Sequence, residues 1–334
     1  MLNACKIINN LAEITHDINA FRDIAMSLIP SYPSLLSRAD MAKLRFTLDF
    51  LSPCRFSPYS LLNLRQRLLA CGREFPGTQT EGLFSPALSD DPAALRRFQK
   101  PSPAFVLRPP PAGRLVWQEG DTLDLDVLFL GGGLQQIPFF LSLLRALGNC
   151  GLLAGDEGRF EVAAIACQAA TGSWRALSPG RHAASLSPDV ISLGMYLDEQ
   201  LPLSLPVLLE VTTPARLVAA GRVLRRPRFV QLFPFMLRRV TSMLYYHCHL
   251  EPVDDPGSLL AAANQVEAVW QATSWHDWRE LGEGGAVGKV GGLTGELRLD
   301  GAGLEELSWI ILLAALFGIG RGAAFGSGQL RLTC

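Results

Sequence analysis

The stretch Gly131-Gly-Gly-Leu-Gln-Gln-Ile-Pro-Phe-Phe-Leu-Ser-Leu-Leu-Arg-Ala-Leu-Gly148 has a counterpart 170 positions further on. That counterpart is Gly301-Ala-Gly-Leu-Glu-Glu-Leu-Ser-Trp-Ile-Ile-Leu-Leu-Ala-Ala-Leu-Phe-Gly318. The two align without gaps: Gly131, Gly133 and Leu134 fall on Gly301, Gly303 and Leu304, Ile137 on Leu307, Phe139 on Trp309 and Leu143 on Leu313. Past the helix that the apolar spacing predicts, Gly158 falls on Gly328. Leucine-rich helices coincide by chance, but glycines bracketing a helix at both ends do so less readily. The openings of the two halves echo each other as well, Leu48-Asp-Phe-Leu-Ser-Pro-Cys-Arg55 against Leu209-Glu-Val-Thr-Thr-Pro-Ala-Arg216. The pattern predicts an α+β chain of two tandem ferredoxin-like, RRM-like domains, each β-α-β-β-α-β with an antiparallel sheet.

Working outward, Leu44, Phe46, Leu48 and Phe50 alternate with Arg45 and Asp49, as a strand with one buried face requires. Upstream, Ile7, Leu11, Ile14, Ile18, Phe21, Ala25 and Leu28 recur at helical steps until Pro30 and Pro33. The expected organisation is an N-terminal helical extension over 1–40, a first ferredoxin-like domain over 41–170, a connector over 171–206, and a second domain over 207–334. The connector is rich in Ser, Pro, Gly and Leu, and the second domain ends in a glycine-rich loop.

Composition narrows the classes. With 49% hydrophobic and 18% charged residues in 334, the chain has ample material for a core and is not a disordered tail. Its longest apolar runs, Trp309 to Gly320 and Ile137 to Leu144, fall short of the ~20 residues that span a bilayer. No early basic segment leads into an apolar core, so no membrane partner and a cytoplasmic location are expected. The seven cysteines are scattered without a C-x-x-C pair, which favours reduced thiols packed as small hydrophobes. His247-Cys248-His249 offers alternating ligands only on a strand, and it lies in a helix-like apolar stretch. No metal and no cofactor is expected.

Two features point to a polyanion. The loop Gly318-Ile-Gly320-Arg321-Gly322-Ala-Ala-Phe325-Gly326-Ser-Gly328 carries glycine where positive φ and a close backbone approach are needed, with Arg321 for charge. It follows a helix and precedes a strand, the reverse of a dinucleotide-binding fingerprint. From Val211 to Leu250 there are seven arginines, 216, 222, 225, 226, 228, 238 and 239, and no Asp or Glu. A chain whose formal charge is −1 thus holds a segment at +7, the footprint of a nucleic-acid surface. Arginine suits forked phosphate contacts and base stacking. Among five histidines, His276 in Trp275-His-Asp-Trp278-Arg279 stands with aromatics, either as a structural imidazole or as a proton donor or stacking partner. No G-x-S-x-G or H-E-x-x-H motif is present.

The residues from Gly291-Gly-Leu-Thr-Gly295 through the leucine-rich helix to the glycine loop resemble the CRISPR-associated repeat-RNA endoribonucleases of the RAMP superfamily. Their G-x-G-x-x-x-x-x-G-x-G signature fits 318–328 position by position. Pro103-Ala-Phe-Val-Leu-Arg-Pro-Pro110, Gly148 to Phe160, and Thr213-Pro-Ala-Arg-Leu with Arg238-Arg239 are similar to other parts of that family, so the resemblance covers about residues 43–334. It implies a metal-independent ribonuclease that cuts CRISPR repeat RNA through 2′-OH attack to a 2′,3′-cyclic phosphate, needing a base, an acid and a cation. Family members often place a His with Tyr or Lys near the opening of the first half, and here Lys43 to Cys71 holds no histidine and offers only Tyr59, Arg55, Arg65 and Arg67. The resemblance therefore assigns Tyr59 as acid or base, Arg55 as phosphate stabiliser and His276 as reserve proton donor. For RNA binding it points to Gly318, Gly320, Arg321, Gly322, Gly326 and Gly328 with Arg225, Arg226, Arg228, Arg238 and Arg239. Expected partners are CRISPR repeat RNA, other CRISPR effector subunits and a second copy of the chain. The competing expectation is a catalytically inactive RNA-binding subunit of the same superfamily.

Overall fold

In the opening strand β1 (Asp40–Phe50), Ala42, Leu44, Phe46, Leu48 and Phe50 are buried, while Lys43, Arg45, Thr47 and Asp49 face the other way. A computed structural model describes residues 32–56, 60–98, 100–110, 114–153, 157–177, 186–281 and 287–333. After β1 come β2 (Cys54–Arg55), α1 (Leu64–Gly72), α2 (Gly77–Phe84), α3 (Pro92–Arg97), β3 (Phe105–Arg108) and β4 (Val116–Trp117). The first half continues through β5 (Thr122–Leu130), α4 (Ile137–Cys150), β6 (Phe160–Gln168), β7 (Trp174–Leu177), β8 (Ile191–Ser192) and α5 (Leu193–Gln200). The second half runs β9 (Val207–Ala215), β10 (Val218–Ala219), β11 (Arg222–Val223), α6 (Phe229–Cys248) and α7 (Pro256–Ala263). It closes with β12 (Glu267–Leu281), β13 (Val287–Asp300), α8 (Leu304–Phe317) and β14 (Leu330–Thr333).

The first sheet is ordered β3-β5-β1-β6-β7 and the second β12-β13-β9-β14. Every pairing is antiparallel. In both halves the first strand lies between the third and the fourth, which is the ferredoxin-like order of the β-α-β-β-α-β unit. The register repeats too: Phe50 pairs with Phe160, and Val211 pairs with Leu330. The chain over 171–206, read from sequence as a connector, adds β7 to the first sheet and pairs β8 with the start of β1. Of the helix expected over 1–40, the part up to residue 31 lies outside the described residues. Ser34–Arg38 is a 3-10 turn, and Asp40 already begins β1.

The first core forms where α4 covers the sheet. Phe140 meets Phe46, Phe105 and Phe129 with ring centroids 5.8, 5.2 and 5.3 Å apart. Ala324 and Phe325, from the end of the second half, belong to this same core. Phe325 stacks on Phe84 at 6.1 Å and meets Phe105 edge-on at 5.6 Å. Burying a ring of this size contributes about 2 kcal/mol, so the glycine-rich loop ties the two halves together.

Candidate nucleic-acid interface

The loop glycines have a conformational cause. Gly318, Gly320, Gly322, Gly326 and Gly328 all stand at positive φ, between 61° and 92°. A Cβ at Gly328 would lie 2.0 Å from the Ile319 carbonyl oxygen, and one at Gly326 2.5 Å from Cδ of Pro109. Thr213 fastens the turn: its hydroxyl donates to the Gly326 carbonyl at 2.6 Å and accepts from the Gln329 N–H at 2.8 Å. Most loop N–H groups are committed inside the fold, Ile319 to Gly328, Arg321 to Arg216 and Gly328 to Pro214. The N–H groups of Gly320 and Gly322 have no partner among the described residues. With Arg321 and Gly322 exposed, these two are what the loop can offer an anion.

The arginines divide. Arg225, Arg226, Arg228 and Arg238 are exposed. Arg225 lies over the Trp275 ring, 5.7 Å from its centroid, and Gln271 Nε2 donates to the Pro227 carbonyl at 3.2 Å. The segment carrying 225–228 therefore lies along the face of β12 that bears Gln271 and Trp275, giving a basic, aromatic surface suited to RNA. Arg239 is a correction to the sequence reading. It is only 5% exposed, donating through Nε and Nη2 to the Phe317 carbonyl at 3.3 and 3.2 Å and through Nη1 to Ser102 Oγ. Burial pushes its guanidinium down to about 10, so it stays charged at neutral pH. It caps the C-terminus of α8 rather than facing solvent.

His276 is exposed and hydrogen-bonded to Ser274 Oγ at 2.9 Å. Strand alternation puts it on the opposite face of β12 from Trp275 and Arg225, so the structure does not bring it to the arginine surface. His247 is buried in α6, its Nε2 2.9 Å from the Ser102 carbonyl. His249 follows as the left-handed cap of that helix. Among the described residues no three metal-ligating side chains converge, and burial pushes the Cys54 thiol up to about 11 and those of Cys71 and Cys248 up to about 12.

Tyr59 lies outside the described residues. Arg55 is exposed on β2, which pairs with β4 in a two-stranded sheet apart from the two main ones. Arg65, on the exposed side of α1, reaches the glycine loop, 5.8 Å from the centroid of Phe325. Two cations outside that set escaped the sequence reading. Arg108 donates to the Ala315 and Leu316 carbonyls at 2.7 and 3.3 Å, so Arg108 and Arg239 together hold the end of α8 just before the loop. Lys43 faces a cleft between the halves. No described helix is long and apolar enough to cross a membrane.

Comparison with known proteins agrees with this architecture. Residues 209–330 match the family model of the CRISPR-associated endoribonuclease Cas6, and residues 80–187 match a model described as an N-terminal domain. No curated protein matches. Among solved structures, a Thermus thermophilus Cas6 superposes with a TM-score of 0.52 at 17% identity, over 88% of this chain and 99% of its own. A Cas6 product complex gives 0.52 at 16% over the same shares. A partial Cas6-RT-Cas1–Cas2 complex gives 0.57 at 16% over 91% of this chain. The present chain spans 47% of that larger one.

Proposed function

We propose, starting from the chain's place in the Cas6 family of RAMP-fold proteins, that it binds the repeat of a precursor CRISPR transcript and cuts it once. The observation that carries this reading is the loop itself. A G-x-G-x-x-x-x-x-G-x-G segment, with all five glycines at positive φ, is wedged between two ferredoxin-like halves beside an exposed arginine surface. In the reaction a base takes the proton of the ribose 2′-OH, whose oxygen attacks the adjacent phosphorus. The 5′ oxygen leaves with a proton from an acid, and the cyclic phosphate remains on the upstream product. Tyr59 is the first choice for proton transfer. Arg65, held against the loop, is better placed than Arg55 to stabilise the phosphorane. Arg321, Arg225, Arg226, Arg228 and Arg238 hold the RNA backbone, and the protein works in the cytoplasm with other CRISPR subunits or a second copy of itself.

A second reading rests on one observation: Lys43 to Cys71 contains no histidine, which suits a subunit that holds RNA without cutting it. Incubation with the host's own repeat RNA in EDTA, resolved on a denaturing gel, separates the two. A single cut that leaves a cyclic phosphate and is blocked by a 2′-deoxy sugar at the scissile position supports the nuclease. Salt-sensitive binding without a cut supports the holding subunit. Absence of both overturns the RNA reading.

A further inference from the structure

Two cysteines far apart in sequence meet where α1 and α4 end. Arg67 on α1 donates through Nη2 to the carbonyls of Cys150 and Gly151, at 3.1 and 2.9 Å, so the last turn of α4 is tied to α1. Cys71 stands four residues after Arg67, on the same face of that helix. It is only 4% exposed in the first core, and Cys150 packs half-buried against the same core with its thiol in hydrogen-bonding contact with the Cys71 thiol. Thr80 Oγ1 donates to the Gly72 carbonyl at 3.0 Å, so the backbone beside each of the two sulfurs is held. The other described cysteines keep different company. Cys167 Sγ donates to the Asp189 carbonyl at 3.4 Å, and Cys54 and Cys248 lie against Gly158 and Gly131.

The two thiols are not equivalent. Burial, reinforced by the hydrogen bond with Cys150, pushes the Cys71 thiol up to about 12, so it keeps its proton at neutral pH. Cys150 is the more accessible sulfur and the one open to a small oxidant. A buried thiol that holds its proton is a poor first target for oxidation. It is a well-placed second one, because it needs only to meet a sulfur that has already been oxidised beside it.

We propose that the junction of α1 and α4 is a site of reversible covalent modification, at which hydrogen peroxide converts Cys71 and Cys150 into a disulfide. The Cys150 thiolate attacks one peroxide oxygen: an S–O bond forms, the O–O bond breaks, and the hydroxide released takes up a proton as water. Cys71 Sγ then attacks Cys150 Sγ. The S–S bond forms as the S–O bond breaks, and the departing hydroxide takes the Cys71 proton as a second water. The two sulfurs together give up two electrons, and the peroxide gains them. A dithiol reverses the bond by exchange. Closing the chain from 71 to 150 clamps α1 to α4, and α1 also carries the Arg65 that lies over Phe325. The proposal is independent of the RNA reading above.

The test uses the full chain, reduced, freed of reductant and treated with hydrogen peroxide, then blocked with N-ethylmaleimide under denaturing conditions. Expected are the loss of two of the seven thiols and a fall in intact mass of about 2 Da before blocking. A tryptic map without reductant should join the peptide 68–73 to the peptide 146–159. Closing so long a loop should raise the melting temperature by roughly 6 °C over the reduced protein, and dithiothreitol should return it. Cys71→Ala and Cys150→Ser should each lose both the joined peptide and the rise. Cys71→Ala opens space in the core, so Cys150→Ser, at the less buried position, is the variant that should melt within about 2 °C of the reduced wild type. Seven free thiols after peroxide, a Cys150 carried on to the sulfinic acid, a link between any other pair, or a linked protein that melts no higher than the reduced one overturns the proposal.

Discussion

Replacing Gly328 by alanine, beside the same change at Gly322, tests whether the loop glycines serve conformation before they serve RNA. Both stand at positive φ, 61° and 83°, a region that costs an L-residue about 1 kcal/mol. Beyond that the sites differ. At Gly322 the nearest atom to a new Cβ is the Ser327 hydroxyl at 3.1 Å, the end of a side chain that can turn away. At Gly328 it is the Ile319 carbonyl oxygen at 2.0 Å, which no rotamer relieves. The backbone there is pinned on both sides: the Gly328 N–H donates to Pro214 at 3.1 Å, and its carbonyl accepts from Ile319 at 2.9 Å. Moving it loosens two hydrogen bonds at about 1 kcal/mol each, and a share of the Phe325 packing goes with them. Gly322→Ala is thus expected to cost about 1 kcal/mol and Gly328→Ala about 4 kcal/mol. At about 2 °C per kcal/mol for a chain of this size, that is a fall in melting temperature of roughly 2 °C against roughly 8 °C. Calorimetry on the two proteins decides it. Equal melting temperatures would refute the argument that the loop's shape is set by backbone crowding.

Arg239→Met should cost about 2 kcal/mol by orphaning the Phe317 carbonyl, whereas Arg238→Met should leave the melting temperature unchanged and weaken RNA binding; urea denaturation and filter binding check the pair. His247 ordinarily titrates at 6.5 and burial lowers it to about 4, so the folded state resists a proton that the unfolded state accepts. Stability is then full above pH 6.5, falls as pH drops from 6.5 to 4, and loses about 3 kcal/mol in all; His247→Gln should flatten that slope in urea midpoints taken at pH 7 and pH 5. Arg65→Met and Tyr59→Phe should each lower single-turnover cleavage by at least tenfold with repeat affinity within threefold, and a full rate in either removes that residue from the reaction.

The two halves were legible because their punctuation is sequence-local. A glycine ends each third strand's turn into a helix, so β5 stops at Leu130 and β13 at Asp300, while β6 starts at Phe160 and β14 at Leu330, both pairs 170 apart. Other features are decided by how one half lies on the other, and a periodicity taken from either half alone does not contain that. Lys43 alternates outward from Leu44 just as Arg45 does, and only the second half's α8 and β14 turn that outward face into the wall of a cleft. Arg239 was within reach of the sequence. Leu232, Met236, Arg239 and Met243 sit at steps of four, three and four on the buried side of α6, so one arginine of the 238–239 pair had to face inward.

The duplication also explains where the site has to be. Gly148 to Gly158 and Gly318 to Gly328 join equivalent helices to equivalent strands with the same number of residues, yet their further glycines fall at different places, 151 and 155 in the first and 320, 322 and 326 in the second. In the first half the shared Gly158 fits against Cys54 of its own domain. In the second the glycines at 320, 322 and 326 let the chain swing out, so that Gly326 meets Pro109 and Phe325 enters the other half's core. What the copies share makes two similar sheets, and a second sheet alone adds core rather than chemistry. The departure of one loop from the other joins the halves and sets Arg321 beside the ends of β9 and α8, with Arg65 of the first half against Phe325. A function that depends on both halves therefore has to be sought in the residues that break the repeat.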